Sequence, residues 1–160
     1  MPLIGVDLMG SDSSPSALLT GVNQALEVLP SEVELLLFLD KTQQSLVDSE
    51  KSISDRLSFF YCDEEVCMKD TPLVALKKKH SSLFLGLTSL KEKTIEAFVT
   101  SANTGALVSW AVRNLTLLPG VRRPALCITL PSKKGPITML DVGANADCQT
   151  EHFSQFALMG

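Results

Sequence analysis

Histidine and cysteine are scarce in this sequence, and their scarcity restricts the chemistry it can carry. The histidines, His80 and His152, lie far apart, and the four cysteines show no Cys-x-x-Cys spacing. Closely spaced ligand pairs are the usual sign of a zinc site. We therefore expect neither a metal site nor a disulfide framework, but reduced and mostly buried thiols at Cys62, Cys67, Cys127 and Cys148.

Excess positive charge and long apolar runs are also missing. The chain has 14 lysines and arginines against 18 aspartates and glutamates, a formal net charge of -4, so it lacks the positive field that attracts nucleic acids. Its apolar runs are far shorter than the roughly 20 residues that span a bilayer. The start, Met1 to Asp7, has no cationic leader of the secretory type. We expect a cytoplasmic protein that binds no nucleic acid.

Short apolar runs alternate with longer segments of helical period. Runs rich in Val, Ile, Leu and Phe predict six strands, at 3–8, 33–39, 57–61, 97–100, 125–130 and 137–142. Three-to-four spacing of apolar residues predicts helices at 15–29, 72–80, 81–93, 104–115 and 150–159. The polar segment 41–55 predicts a short helix and a loop. The pattern is typical of a single α/β domain over 1–160, with an open, mainly parallel sheet and helices on both faces.

Three polar loops follow predicted strands and precede predicted helices, at 7–15, 100–106 and 140–148. Helix N-termini carry unpaired N–H groups and a positive dipole end, and they meet at the carboxyl edge of a parallel sheet. The loops therefore predict one pocket for an anion. Ordinary local roles explain the same residues: an N-cap before Pro15, capping by Thr104, and a turn around Gly143.

The order of these loops carries a family resemblance. The segments are Val6-Asp7-Leu8-Met9-Gly10-Ser11-Asp12 followed by Pro15, Ser101-Ala102-Asn103-Thr104-Gly105-Ala106, and Asp141-Val142-Gly143-Ala144-Asn145. In this order they resemble the PlsX family of phosphate acyltransferases, and the resemblance covers essentially the whole chain. The family usually has glycine where Ser11 and Ala102 stand and histidine where Ser13 stands.

The resemblance implies a reaction and a fold. The reaction is transfer of a fatty acyl group from acyl carrier protein to inorganic phosphate, with no nucleotide, metal or other cofactor. The fold would resemble that of isocitrate and isopropylmalate dehydrogenases. Family members are about twice as long, so this chain would be the N-terminal lobe of a two-lobed enzyme whose C-terminal lobe is absent here. Full-length members are usually dimeric, and peripheral membrane association of the full-length protein is compatible with this interpretation.

Candidate site residues follow from the resemblance and from loop chemistry. The expected catalytic residues are Asn103, Asn145 and His152. The expected phosphate-binding residues are Gly10, Ser11, Asp12, Ser101, Thr104, Gly105, Asp141 and Gly143. Asp12 and Asp141 are expected to orient their loops rather than act as bases, because a carboxylate repels phosphate. For His152, a capping or surface role is the alternative.

The run Lys77-Lys78-Lys79 is the densest basic patch. Acyl carrier protein is acidic, so docking there is one hypothesis; a solvated helix face is the other. Two alternatives to the transferase also stay open. One is a non-catalytic lobe, truncated or degenerate, that binds phosphate or a partner, and the other is a phosphotransacetylase-like enzyme that uses acyl coenzyme A.

Overall fold

The computed structural model describes residues 1–50, 54–143, 145 and 147–160. They form two units, Met1–Asn114 and Leu115–Gly160. A one-domain organisation of all 160 residues stays a prediction. Part of the predicted segment 41–55 lies outside the described residues, as do Ala144 and Ala146 of the third loop.

The first unit is built on a parallel sheet of four strands. In chain order they are β1 (Leu3–Asp7), β2 (Glu34–Asp40), β3 (Leu57–Cys62) and β4 (Ala97–Val99). Their spatial order is β3-β2-β1-β4, with every neighbouring pair parallel. The chain places β2 and β3 on one side of β1 and then crosses to place β4 on the other side. The gap between β1 and β4 is therefore the switch point where open α/β sheets bind their ligands. The predicted α/β class is confirmed.

Helices cover both faces of this sheet. They are α1 (Pro15–Val28), α2 (Gln44–Glu50), which follows a short 3₁₀ turn at Lys41–Gln43, α3 (Pro72–Ala75), α4 (Ser82–Lys91) and α5 (Thr104–Asn114). Helix α1 starts with the Ser14 cap and Pro15, and its buried residues join one core cluster with alternate residues of β2, including Leu35 and Leu37. The other β2 face packs Phe38 with Phe98, and with Leu85 of α4.

One predicted helix is much shorter than its sequence pattern suggests. The segment 72–80 is helical only to Ala75; Lys77 and Lys79 lie in turns, and Lys78 between them has no regular secondary structure. Ser81 has extended backbone and its hydroxyl accepts the Phe84 N–H as the cap of α4. Because a cap residue stands outside the helical conformation, the chain must leave the helix before α4 begins. The expectation that the three lysines share a helix face is wrong.

The second unit contains β5 (Cys127–Leu130), β6 (Ile137–Leu140) and α6 (Thr150–Met159). The two strands form an antiparallel hairpin in a sheet of their own. Only residues 131–136 separate them, whereas a parallel connection needs about a dozen residues or more. The expectation that these strands extend a mainly parallel sheet is therefore corrected.

All four cysteines are free, but only Cys62 is buried. Burial raises the pKa of the Cys62 thiol to about 12, so it stays protonated at neutral pH. Cys67, Cys127 and Cys148 are exposed, so the prediction of mostly buried thiols is wrong: they lie in a loop, a two-stranded hairpin and a turn, none of which encloses its side chains.

The described part of the chain contains no helix with the length and apolar character required to cross a bilayer. In that same part, no three His, Cys, Asp or Glu side chains are arranged to hold a metal ion.

Candidate functional site

The loops after β1 and β4 meet at the switch point, and one carboxylate joins them. Asp7 is the last residue of β1 and is 2% exposed. Its Oδ1 accepts the Met9 N–H at 2.9 Å, and its Oδ2 accepts the Thr100 hydroxyl at 2.9 Å. Thr100 in turn accepts the Ala102 N–H at 3.0 Å. The buried Asp7 side chain thus connects the loop after β1 with the loop after β4.

Burial is the main influence on this carboxyl and raises the pKa of Asp7, while hydrogen bonds from the Met9 amide, Ser82 and Thr100 partly counteract that effect. The sequence interpretation included Asp7 in the first motif but assigned it no role. The signal that could have found it is its position: a carboxylate ending a central parallel strand is buried, so it needs partners from the adjacent loops.

Gly10 brings the first loop against the segment that follows β3. Its φ is +68°, and a Cβ built there would lie 2.3 Å from the Val66 carbonyl oxygen. The Gly10 N–H donates to Glu65 Oε1 at 3.2 Å, and the same hypothetical Cβ lies 3.4 Å from the Ala102 Cβ. The absence of a side chain at Gly10 thus lets the first loop lie against the Val66 backbone and close to Ala102 of the second loop.

The rest of the first loop is organised locally. Ser11 Oγ accepts the Ser13 N–H at 3.1 Å, and Ser14 caps α1. Asp12 is exposed and makes no hydrogen bond with any residue in the described ranges. The carboxylate that orients this loop is therefore Asp7 rather than Asp12. Direct binding of phosphate by Gly10, Ser11 and Asp12 stays a prediction.

Asn103 organises the second loop. Its Oδ1 accepts the Ala106 N–H at 3.1 Å and caps α5. Its Nδ2 donates to the carbonyl oxygens of Met68 at 2.8 Å and Asp70 at 3.0 Å. The capping role that the sequence offered to Thr104 thus belongs to Asn103, whose amide is a structural anchor. A catalytic role for Asn103 stays a prediction.

The start of α5 presents an open polar surface. Ser101, Thr104 and Gly105 are exposed. The hydroxyls of Ser101 and Thr104 make no hydrogen bond within the described residues, and the N–H groups of Thr104 and Gly105 have no acceptor within the helix. Two amides, two hydroxyls and the positive dipole end can together bind an anion.

The third predicted loop belongs to the second unit and follows a different kind of strand. It comes after β6, which is antiparallel and pairs with β5 alone among the described strands. The parallel-sheet argument that would bring it to the same edge as the first two loops therefore does not apply. That all three loops form one pocket stays a prediction, and the shared edge of a parallel sheet is not a reason for it in the case of the third loop.

Within that loop, Asp141 and Asn145 have clear local contacts. Asp141 Oδ2 accepts the Asn145 N–H at 3.0 Å, the loop-orienting contact expected from the sequence. Asn145 donates to the Pro124 carbonyl at 3.0 Å and accepts from Arg123 at 3.3 Å. Gly143 is exposed with φ of +119°. Phosphate contact by these residues stays a prediction.

His152 is 5% exposed and belongs to the cap of α6. Its Nδ1 accepts the Gln149 N–H at 3.0 Å. The capping alternative is therefore observed, and an acid or donor role stays a prediction.

Within the basic run Lys77-Lys78-Lys79, the central residue Lys78 forms an ion pair with Asp70. Lys78 Nζ lies 2.6 Å from Asp70 Oδ2 and donates to the Glu65 carbonyl at 2.7 Å, so it ties the loop after β3 to the start of α4. The hydrogen bond to Asp70 raises the pKa of Lys78, and the same bond lowers the pKa of Asp70. Lys77 and Lys79 are exposed and stay available to a partner.

Comparison with known proteins places these features in a family. The family described as fatty acid synthesis protein matches residues 3–160. A phosphate acyltransferase of Streptococcus thermophilus is 38% identical over 162 residues, covering 100% of this chain and 47% of its own length. One from Magnetococcus marinus is 37% identical over 158 residues, covering 98% of this chain and 45% of its own length. The chain spans about half the length of the curated relatives it matches. It belongs to the fatty acid synthesis protein family, in which its relatives are PlsX-type phosphate acyltransferases.

Proposed function

We propose that this chain is the phosphate-binding part of an enzyme that transfers a fatty acyl group from acyl carrier protein to inorganic phosphate in the cytoplasm. The observation that carries the proposal is the start of α5. There, Asn103 fixes the helix end and leaves the Thr104 and Gly105 amides and two hydroxyls free for an anion. The finer fold assignment, one lobe of an isocitrate/isopropylmalate dehydrogenase-like enzyme, is part of the same proposal.

Phosphate is the nucleophile in this reaction. One of its oxygens attacks the thioester carbonyl carbon, the new C–O bond forms, and the C–S bond breaks to release the carrier thiolate, which takes up a proton. The protein's tasks are to hold the anion against the carbonyl and to offer N–H donors to the developing oxyanion. Gly105 is exposed and has no side chain, which leaves room for this approach.

Asp7 and Asn103 are positioning residues in this scheme. The buried Asp7 carboxylate keeps Thr100 and the first loop in place. Asn103 fixes the α5 amides and tethers the 68–70 backbone. We further propose that Asn145, Gly143 and His152 complete the site, and that Lys77 and Lys79 receive the acidic carrier.

The half-length coverage favours a second candidate, a lobe that binds phosphate or a partner without turnover. An assay separates the candidates: the full 160-residue chain, alone and together with the separately produced half of the Streptococcus thermophilus enzyme that it does not match, is supplied with phosphate and either acyl-acyl carrier protein or acyl coenzyme A. Acyl phosphate from the carrier substrate alone supports the proposal. Product from acyl coenzyme A alone identifies a phosphotransacetylase-like enzyme, and no product from either substrate when both halves are present identifies the non-catalytic lobe.

A further inference from the structure

The segment that follows strand β3 contacts both polar loops of the first unit. Val66 is 2% exposed, and its carbonyl oxygen is the atom against which Gly10 of the first loop lies. The carbonyl oxygens of Met68 and Asp70 accept hydrogen bonds from the Asn103 amide of the second loop, at 2.8 Å and 3.0 Å. The separation of these two loops therefore depends on the conformation of residues 65–70.

One ion pair closes residues 65–70 into a compact turn. The Lys78 ammonium lies 2.6 Å from Asp70 Oδ2 and donates to the Glu65 carbonyl oxygen at 2.7 Å. The same Asp70 oxygen accepts the Cys67 N–H at 2.9 Å, and the Asp70 N–H donates to the Cys67 carbonyl oxygen at 3.0 Å. Because one side chain binds both ends of the turn, loss of the ion pair would release the backbone between them.

This ion pair is more shielded from water than a second one in the same segment. The side chains of Lys78 and Asp70 are 25% and 17% exposed, whereas those of Lys41 and Asp63 are 68% and 62% exposed. Partly buried charges are screened less than exposed ones, and exposed pairs contribute little to stability. The pair of Lys78 with Asp70 is therefore the better suited of the two to fix the conformation of the segment.

The backbone of Lys78 is itself held in place. Its N–H donates to the Ala75 carbonyl oxygen at 3.0 Å, and its carbonyl oxygen accepts the Ser81 hydroxyl at 2.7 Å. Ala75 and Ser81 are both fully buried. Trp110 of α5 also donates to the Ala75 carbonyl oxygen, at 3.1 Å. The ammonium therefore extends from a backbone that is anchored to α3, α4 and α5.

We propose that Lys78 and Asp70 are positioning residues for the phosphate site. Their ion pair holds residues 65–70 so that the Gly10 loop and the start of α5 stand at the separation that a bound phosphate requires. This inference rests on the proposed function. In this scheme neither side chain contacts phosphate, because each one is bound by the other and by backbone groups of the turn.

Asp70→Asn tests the proposal through the sign of its effect. The substitution removes the ion pair but keeps the Asp70 carbonyl oxygen that Asn103 contacts. It also removes a negative charge, so electrostatics alone would strengthen the binding of an anion. We expect the affinity for phosphate to fall instead, by roughly fivefold or more. Asp63→Asn is the matched control, because it removes the same charge and the exposed pair with Lys41, and its phosphate affinity should stay the same or rise.

Calorimetric titration with inorganic phosphate measures these affinities, at a temperature at which circular dichroism shows each variant to be folded. The 160-residue chain is titrated alone and together with the separately produced half of the Streptococcus thermophilus enzyme that it does not match. Lys78→Met should also weaken binding. The double variant with Asp70→Asn should lose less than the product of the two fold-changes, because both substitutions break the same ion pair.

The positioning role is overturned if Asp70→Asn binds phosphate as tightly as Asp63→Asn. Tighter binding by Asp70→Asn also overturns it, because a Lys78 released from its partner would then be a direct ligand of the anion. Fold-changes that multiply fully in the double variant are a third contrary result. If the unsubstituted chain binds no phosphate in either condition, the proposed function is wrong and the inference fails with it.

Discussion

Two residues beside strand β1 set the geometry of the candidate site. Gly10 allows the first loop to touch the backbone at Val66, and Asp7 joins that loop to the one after β4. Neither residue is expected to contact the transferred acyl group. Their contribution is to fix the positions of amides and hydroxyls that bind the anion.

A methyl group at Gly10 should destabilise the protein. Gly10→Ala places a Cβ 2.3 Å from the Val66 carbonyl and forces alanine into a positive φ, so we expect a loss of about 1–3 kcal/mol in the free energy of unfolding. Urea denaturation measures this loss. Gly21→Ala is the matched control, since its Cβ has open space and alanine favours helix, which predicts a gain of about 0.5–1 kcal/mol. Equal effects of the two substitutions would contradict the packing described for Gly10.

Because of Asp7, the free energy of unfolding should decrease as the pH rises above the usual aspartate pKa. Because burial raises its folded pKa above the unfolded value, the folded state binds the proton more tightly. The resulting contribution to stability is complete below the unfolded pKa and is lost as pH rises through the folded pKa.

We therefore expect Asp7→Asn to remove this loss. Between pH 4 and neutral pH, roughly the range above the reference aspartate value, the unsubstituted protein should lose stability relative to Asp7→Asn in urea titrations. Asp12→Asn changes an exposed position, and its free energy of unfolding should depend on pH as that of the unsubstituted protein does. A rising stability of the parent relative to Asp7→Asn over that interval would show that the Asp7 carboxyl is ionised more easily in the folded state.

Helix α5 and the segment after β3 are coupled through a small number of side chains. Asn103 connects the helix cap to the carbonyls of Met68 and Asp70. Lys78 holds Asp70 from the other side. Hydrogen bonds therefore connect the start of α5 to the segment after β3 and, through Asp70, to Lys78.

Substitutions at Asn103 can separate its two duties. Asn103→Ser retains a capping oxygen but loses both donations to the 68–70 backbone, whereas Asn103→Ala loses both duties. We expect Asn103→Ala to cost about 1 kcal/mol more than Asn103→Ser because it also removes the cap. Both should speed hydrogen exchange in the 67–70 segment. If hydrogen exchange in the 67–70 segment is unchanged in both variants, the hydrogen bonds from Asn103 do not hold that segment in place.

Lys77 and Lys79 offer a test of carrier docking without breaking the fold. Changing both to Glu should slow association with acyl carrier protein, more at low salt than at high salt, because exposed charges are screened. Stopped-flow fluorescence measures the rate. The control reverses Lys133 and Lys134, which are also exposed. An association rate that the first pair leaves unchanged at low salt would remove the docking hypothesis, and Lys78 is excluded because its loss would break the Asp70 ion pair.

For the whole molecule, the sequence predicted the strands and helices of both units, but not how the strands of the second unit pair. Runs such as Glu34-Leu35-Leu36-Leu37-Phe38-Leu39 are apolar on both faces, as a central strand requires, so β1 to β4 could be located closely. The strands β5 and β6 have similar composition, and composition does not state which strand pairs with which. Their short connection, residues 131–136, is the feature of the sequence that indicates a hairpin.

In the candidate site, too, the sequence predicted local features but not the contacts between distant segments. Glycine, asparagine and threonine before α5 indicated a polar helix start, which the structure contains. The identity of the capping residue and the role of Asp7 depend on distances between loops far apart in sequence, as in the contact from Thr100 to Asp7. Such contacts follow from the strand order β3-β2-β1-β4, which residue patterns alone do not specify.

Phosphate titration of a charge-added variant tests the central proposal most directly. Thr104→Asp puts a carboxylate at the first residue of α5, where it favours the helix through the dipole but repels a bound anion. Thr20→Asp adds the same charge at an exposed position of α1 beyond its first turn as a control. Measured by calorimetry with inorganic phosphate, binding should persist in the parent and in Thr20→Asp and fall by roughly tenfold or more in Thr104→Asp, while thermal stability of Thr104→Asp holds or rises. Equal phosphate affinity in all three proteins would contradict the assignment of the α5 N-terminus as the anion site.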